Sequence, residues 1–433
     1  MRSLPAQVGA SRRASAVRLA ARVAVVCAIS VAGWIVAHNV AKPPWHHYFD
    51  LRVYHGAVEW WLAGHPLYSF LLPHTRYGFT YPPFAAVVMT PLAAVSEPVA
   101  GLLSTIASAV IVGVTTWWLV APVARRAGWS PWYAVGVAIP VIGVSDPIRE
   151  TIGFGQVNLF IVALVVADVV ALRRGGRWAG LGIGLAAAVK LTPAVFVLYL
   201  VLTRRWRAAG VAVGAFVAAT GLAVAVAPHT SLQFWTRTVW ETSRVGRLDK
   251  TSNQSLLGML ARLAEPGEPS RLLWVLLVGG VLFVTMRRAV RAYRQGDELV
   301  GITLTGLAGC LVSPISWTHH LFWVVPAAVV LVDVAAGARL SDTTPWWVRA
   351  HERAVARSAA VAVWAMVAVF WSGLIWYVEP ANGVQHRKDL WGVLGEDAYG
   401  LLMIALMFLL PVRASAPDPA RPIREEAPAL VAD

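Results

Sequence analysis

Asp50 is a carboxylate in an aromatic setting, His47-Tyr48-Phe49-Asp50-Leu51-Arg52-Val53-Tyr54-His55, directly after the first long apolar run at 18–41. Ionisable groups at the edge of such a run are costly and tend to serve function. A single carboxylate there can take the proton of an attacking hydroxyl, general-base help worth about 10²–10⁴-fold in rate. It can equally cap a helix. Leu51, Tyr54, Val58, Trp61 and Leu62 recur at helical spacing over 51–63, with Arg52, His55 and Glu59 on the other face. From the residues alone both readings of Asp50 stand.

The other chemistry-bearing groups lie at breaks between apolar runs. Tyr77-Gly78-Phe79-Thr80-Tyr81-Pro82-Pro83-Phe84 brings aromatics that could stack on a sugar or anchor at a membrane interface. Gly153-Phe154-Gly155-Gln156-Val157-Asn158 places two amides at the mouth of a span, where they could bond sugar hydroxyls, or where Asn158 could cap a helix. Lys190, in Val189-Lys190-Leu191-Thr192-Pro193, is a lone ammonium at a helix break. It could hold a phosphate as a point charge or snorkel to the interface. Thr251-Ser252-Asn253-Gln254-Ser255 is a polar knot after a stretch holding Arg237, Arg244, Arg247 and Lys250. Ser316-Trp317-Thr318-His319-His320 sets two histidines in a tight turn. Adjacent histidines cannot easily chelate one ion and no third ligand is evident, so hydrogen bonding to phosphate or sugar is the more economical use, and no metal is expected.

These groups need a scaffold, and composition defines it. The chain has 433 residues, 58% hydrophobic and 14% charged, against about 25% charged in soluble domains. Continuous apolar runs long enough to cross a bilayer recur from end to end, so the expected fold is an all-α polytopic membrane protein. The net charge of +14 sits in short clusters, Arg12 to Arg22, Arg125 and Arg126, Arg173 to Arg177, Arg204 to Arg207, Arg287 to Arg294 and Arg349 to Arg357. That is the positive-inside pattern, and it gives no reason to expect nucleic acid as a partner. Spans are predicted near 18–40, 98–121, 130–147, 157–172, 209–227, 270–286, 299–316, 318–338, 355–378 and 398–412. Two short helices broken at Lys190-Leu191-Thr192-Pro193 lie between 173 and 207, and 83–121 makes one net crossing with a bent or re-entrant start. About twelve spans follow, with both termini cytoplasmic. Five loops then share the external face: 41–82, 147–157, 228–268, 317–320 and 379–397. Asp168 and Asp333 fall near cytoplasmic ends, where they are expected to snorkel. Residues 1–412 form one membrane domain, and 413–433 reads as a disordered tail. Cys27 and Cys310 both lie in apolar runs and are not expected to pair.

Taken as a set, Tyr48-Phe49-Asp50-Leu51-Arg52-Val53-Tyr54, Gly64-His65-Pro66-Leu67-Tyr68, Phe79-Thr80-Tyr81-Pro82-Pro83, Gly155-Gln156-Val157-Asn158, Lys190-Leu191-Thr192-Pro193, Asn253-Gln254-Ser255 and Ser316-Trp317-Thr318-His319-His320 resemble glycosyltransferase family 87. These are the polyprenyl-phosphate-mannose-dependent α-(1→2)-mannosyltransferases of actinobacteria, within the GT-C superfamily. The resemblance covers about 40–330. It implies a GT-C helical bundle with an external amphipathic helix after the first span, and inverting transfer outside the plasma membrane. The implied donor is polyprenyl-phosphate-mannose, and the acceptor is a phosphatidylinositol mannoside or a lipomannan or lipoarabinomannan of mycobacterial type. No cofactor is called for. Asp50 matches the family's candidate base, with His319 and His320 beside it. Lys190, Arg52 and Arg244 are then expected at the donor phosphate, and Tyr54, Tyr81, Gln156, Asn158, Asn253, Gln254 and Trp317 at sugar or acceptor. The competing readings are a transferase for lipid-linked arabinose or glucose, and a non-enzymatic transporter of lipid-linked sugar. A transporter would not need Asp50, and its charges should line a path across the bilayer.

Overall fold

The computed structural model describes residues 47–341, 351–379, 386 and 388–414. The predicted first span at 18–40 and most of the predicted tail lie outside them. Among the described residues the chain is helical, and its β-type pairing is limited to two isolated bridges. In chain order the helices are α1 Phe49–Leu62, α2 Pro83–Met89, α3 Glu97–Arg126, α4 Pro131–Gly143, α5 Asp146–Phe154, α6 Asn158–Arg173, α7 Leu181–Val189, α8 Val195–Leu202, α9 Trp206–Val226 and α10 Pro228–Thr236. They continue with α11 Leu256–Ala264, α12 Arg271–Arg294, α13 Glu298–Val312, α14 Val324–Ala335, α15 Glu352–Ser372, α16 Leu374–Val378, α17 Leu390–Glu396 and α18 Ala398–Leu409.

Among the described residues four helices are long and apolar enough to cross a membrane: α3, α9, α12 and the Arg353–Ser372 part of α15. Two bent pairs, α4 with α5 at 66° and α17 with α18 at 76°, raise the number to six if each is one span. A straight crossing takes about 20 residues, and proline shortens many of the others. Pro83 opens α2, which gives way to a 3₁₀ turn at Thr90–Ala94 before α3 begins. The expected bent start of 83–121 is therefore two separate helices. The break at Lys190 falls where Pro193 cannot donate a backbone hydrogen bond, and a 3₁₀ turn, Thr192–Ala194, separates α7 from α8.

Long helices bury one stripe and leave the other apolar. In α3, Ala100, Ser108, Val112, Thr116 and Leu119 face the bundle, while Leu102, Leu103, Ile106, Val110 and Val114 are more than half exposed. Uncovered apolar surface of that extent suits lipid rather than water. α13 is the opposite case, buried from Glu298 to Leu311, and forms the middle of the bundle.

The bundle has two chemically different ends. At one, acids and arginines interlock. Asp333 of α14 accepts from Arg126 Nε of α3 at 2.7 Å and from Arg413 at 2.9 Å. Arg413 also binds Asp297, at the start of α13, at 2.6 Å, while Glu298 takes Arg205 and, at 3.4 Å, Arg173. This corrects two expectations. Asp333 does not snorkel but is neutralised in place, and Asp168 accepts the Ile183 backbone N–H at 2.6 Å, satisfying the first turn of α7. Arg413 is anchored rather than the first residue of a loose tail, and bridges with Leu340. α6 and α13 each run between this end and a second one, where the sequence motifs gather.

Candidate active site

Asp50 lies in the first turn of α1, and the N-cap position belongs to Tyr48, so Asp50 is not the cap. Tyr48 has a left-handed backbone (φ 51°) and donates its N–H to Gly153 O at 3.1 Å. Its ring rests on Gly101 of α3, where a Cβ would stand 2.6 Å from ring carbon, and its hydroxyl bonds Thr105 at 2.9 Å. The expected solvent-facing row of α1 is also revised. His55 is buried, bonded to Val95 O at 2.9 Å, while Leu62 is 57% exposed.

The segment 147–157, expected as a loop, is mostly helix, with Pro147 at its start. α5 ends in a Schellman turn: Gly155 N–H bonds Ile152 O at 3.0 Å and Gln156 N–H bonds Thr151 O at 2.9 Å. Gly155 takes the left-handed conformation (φ 67°), and a Cβ there would lie 2.7 Å from Leu51 Cβ. This glycine lets α1 and α5 touch and so seats Gln156 against Asp50.

Gln156 Nε2 donates to Asp50 Oδ2 at 2.7 Å. Its Oε1 accepts from the Tyr81 hydroxyl at 3.1 Å, and Tyr81 in turn meets the Tyr54 hydroxyl at 3.1 Å. The chain of donors points at the carboxylate. Burial raises Asp50 to about 6, against the lowering effects of the Gln156 hydrogen bond and of Lys190 in its charged form. A base in that range is ionised near neutrality yet binds a proton well.

Across the site, Lys190 Nζ donates to Asn158 Oδ1 at 2.8 Å and lies 2.9 Å from His320 Nε2. The Tyr81 ring is 5.4 Å from the same nitrogen. Lys190 belongs to the turn between α7 and α8, and burial brings it down to about 7. Asn158 Nδ2 and Thr151 Oγ1 both donate to His319 O at 2.9 Å, which pins the 3₁₀ turn Thr318–His320 onto α5 and α6.

A cavity of about 510 Å³ opens above these groups. Asp50, Tyr54, Tyr81, Gln156, Lys190, Arg244, Trp317, His319 and His320 all line it. Four of the five predicted loops and the break at Lys190 therefore meet in one place. Arg244 donates to Tyr68 O at 2.6 Å at its rim. Asn158 lies just behind, as the support of Lys190, and not as the helix cap.

Besides Asn158, three expected site residues do not reach the cavity. Arg52 pairs with Glu97 at 3.1 Å on the far side of α1. Asn253 is fully buried, with Oδ1 accepting from Ser316 N at 2.9 Å and Nδ2 donating to Leu248 O at 2.9 Å. Gln254 is likewise buried, bonding Glu396 O at 2.7 Å and Gly400 N at 2.8 Å. Both amides hold backbone that no regular structure satisfies. Glu150 is buried 3.8 Å from Arg149 and off the cavity.

The lining also includes Lys250, Glu241 and Trp376. Lys250, visible in the sequence as part of a basic stretch, approaches the Tyr77 hydroxyl at 3.4 Å. Trp376 donates to Asp146 at 3.1 Å, and nothing local in its sequence marks it. Among the described residues no group of three or more His, Cys, Asp or Glu is placed to hold a metal ion.

Comparison with known proteins adds independent weight. A polyprenol-phosphate-mannose-dependent alpha-(1-2)-phosphatidylinositol mannoside mannosyltransferase of Mycolicibacterium smegmatis is 32% identical over 399 residues, 82% of this chain and 90% of that protein. Its counterpart in Mycobacterium tuberculosis is 37% identical over 304 residues, 65% of this chain and 69% of that protein. A polyprenol-phosphate-mannose-dependent alpha-(1-2)-phosphatidylinositol pentamannoside mannosyltransferase of Mycolicibacterium smegmatis is 32% identical over 349 residues, 78% of this chain and 81% of that protein. No solved structure matches the chain. The family model for glycosyltransferase family 87 matches residues 79–314, a stretch that carries Tyr81, Gln156 and Lys190 from the cavity wall. With the extent of similarity to these enzymes, that match makes the chain a glycosyltransferase, a member of family 87.

Proposed function

We propose that this enzyme moves mannose from polyprenyl-phosphate-mannose to a phosphatidylinositol mannoside, forming an α-(1→2) bond with inversion, and that Asp50 is the general base. The observation that carries the reading is the placement of the Asp50 carboxylate, held by Gln156, which Tyr81 in turn bonds, in the same cavity as Lys190. Inversion needs one base on the acceptor hydroxyl, in line with the leaving group, whereas a covalent route uses a second carboxylate close by. The acceptor oxygen bonds to the anomeric carbon as the bond from that carbon to the phosphate oxygen breaks. The hydroxyl proton goes to Asp50, and the electron pair leaves with the polyprenyl phosphate. Lys190 and a histidine of the 318–320 turn meet the charge that develops there.

The enzyme in this reading crosses the bilayer about twelve times, with both termini cytoplasmic and α1 on the external face. Support comes from the two ends of the bundle. Arg126, Arg173, Arg205 and Arg413 gather at one end with their acids, as positive-inside topology asks of a cytoplasmic surface. The cavity lies at the other ends of α6 and α13.

The test is transfer of labelled mannose in lipid-reconstituted protein, with phosphatidylinositol tetramannoside and pentamannoside as parallel acceptors. Wild type should transfer to one of them, and Asp50→Asn should lose at least about 100-fold. Transfer that survives in Asp50→Asn would remove Asp50 as the base. Failure with both acceptors, together with transfer from another lipid-linked sugar, would remove mannose.

A further inference from the structure

Lys190 Nζ and His320 Nε2 face each other at 2.9 Å. Two nitrogens that both carry protons cannot share a hydrogen bond, so one of them must offer a lone pair. The rest of the histidine ring decides which. His320 Nδ1 lies 3.2 Å from the backbone nitrogen of Trp317, whose N–H can only donate. Nδ1 is therefore unprotonated, the ring is neutral, and its proton sits on Nε2, directed at the lysine. Asn158 fixes the other side. Its Nδ2 donates to His319 O at 2.9 Å, so Oδ1 is the atom that faces Nζ at 2.8 Å. An ammonium here would set one of its three N–H groups against His320 Nε2–H. A neutral amine fits every contact: one N–H to Asn158, the lone pair to His320, and one N–H left over.

We infer that Lys190 rests as a neutral amine, kept so by His320 as a positioning residue, and takes up one proton from solvent when a donor phosphate enters the cavity. The inference rests on the phosphate-binding role given to Lys190 above. Groups facing the lysine come from several elements: Asp50 on α1, the Tyr81 ring at 5.4 Å, Cys310 on α13, and His319 beside His320. The Asp50 carboxylate favours the ammonium, while burial and the His320 N–H oppose it, and the downward displacement of Lys190 agrees with the geometry. A mannosyl phosphodiester brings one fixed negative charge. Its arrival tips the balance, and a charge-assisted bond to Nζ replaces the neutral contact with the ring. On release of polyprenyl phosphate the proton returns to solvent.

Lys190 lines the cavity, so a small acylating reagent can reach it. The experiment is acetylation of full-length enzyme in lipid nanodiscs across pH 5.5–10.5, with Lys190 modification read by mass spectrometry. An ordinary lysine titrates near about 10.4. Ligand-free wild type should be half-reactive within about a unit of pH 7. Saturating polyprenyl-phosphate-mannose, without acceptor, should move that midpoint up by at least one pH unit, and His320→Ala should move it the same way without donor. A ligand-free midpoint above about 9 overturns the neutral amine. A low midpoint unmoved in His320→Ala overturns the role of His320. A low midpoint unmoved by donor overturns the proton uptake and removes Lys190 from the donor phosphate, while the transfer test of Asp50 stands apart from it.

Discussion

Asp50 sets a conflict between function and stability at the scale of one residue. The carboxylate is held where desolvation outweighs the Gln156 hydrogen bond and any charge Lys190 carries, which raises it to about 6. A base works only when deprotonated, so the acid limb of kcat/KM should fall about tenfold per pH unit below pH 6, while the proton that Lys190 takes up with the donor sets a separate fall above about pH 7. Gln156 donates to the charged form, so Gln156→Leu should push the acid limb to higher pH; an unmoved limb would show that Gln156 does not tune the base. The linkage sign is the reverse of the usual carboxylate. A folded-state pKa above the unfolded one means that the ionised group disfavours folding, by an amount that grows from about pH 4 to 6 and is constant beyond. That difference corresponds to about 3 kcal/mol at pH 7. Asp50→Asn should therefore lose transfer and yet melt higher than wild type, a pairing that thermal unfolding in detergent would check. The carboxylate itself was legible in the sequence as an acid beside an apolar run. Its role as first-turn residue rather than cap was not, because a left-handed Tyr48 has no sequence signature and its cause, Gly101, lies 53 positions away.

At the scale of elements, the site depends on how closely α1 and α5 approach. Gly155 permits that contact, both by its left-handed backbone and by lacking a Cβ that would press on Leu51 at 2.7 Å. Gly155→Ala should destabilise the fold by more than about 1 kcal/mol and lower kcat by shifting Gln156 from Asp50. Unchanged kcat with full thermal stability would mean that the α1–α5 spacing is not what positions the base. Local sequence reveals some of this layer and hides the rest. The break at Lys190 was readable because Pro193 cannot continue a helix, whatever surrounds it. Residues 147–157 read as a loop because hydropathy dips across Arg149 and Glu150, although Asp146-Pro147 is a sound helix start. Asn253 and Gln254 looked like sugar ligands because an amide in a polar stretch has the same signature whether it binds a hydroxyl or ties down backbone. Only the tertiary contacts with Ser316, Glu396 and Gly400 separate the two. Arg52 was misplaced for a similar reason, since its partner Glu97 lies 45 residues along the chain.

At the scale of the whole molecule, the same helices connect an arginine-rich surface to the cavity, and this polarity fixes how the enzyme must sit if its donor is a polyprenyl lipid outside the cell. Members of three of the predicted arginine clusters meet there through buried acids: Asp333, which the sequence suggested would snorkel, with Arg126 and Arg413, and Glu298 with Arg173 and Arg205. Pairing keeps most of these charges from disturbing the bundle, and the exposed remainder, such as Arg174 at the end of α6, faces outward from that surface. On the opposite side Trp240 is 76% exposed, beside Val239 and Glu241 of the cavity wall. The orientation is tested by single cysteines in a chain whose own Cys27 and Cys310 are replaced by alanine. In intact cells a membrane-impermeant maleimide should label Trp240→Cys, and should reach Arg174→Cys only after permeabilisation. Both variants are at exposed positions away from the reacting groups, so retained transfer activity checks that each is folded. The reverse labelling pattern would place the cavity on the cytoplasmic side, where a donor outside the membrane could not reach Asp50, and the external reading of the reaction would fall with it.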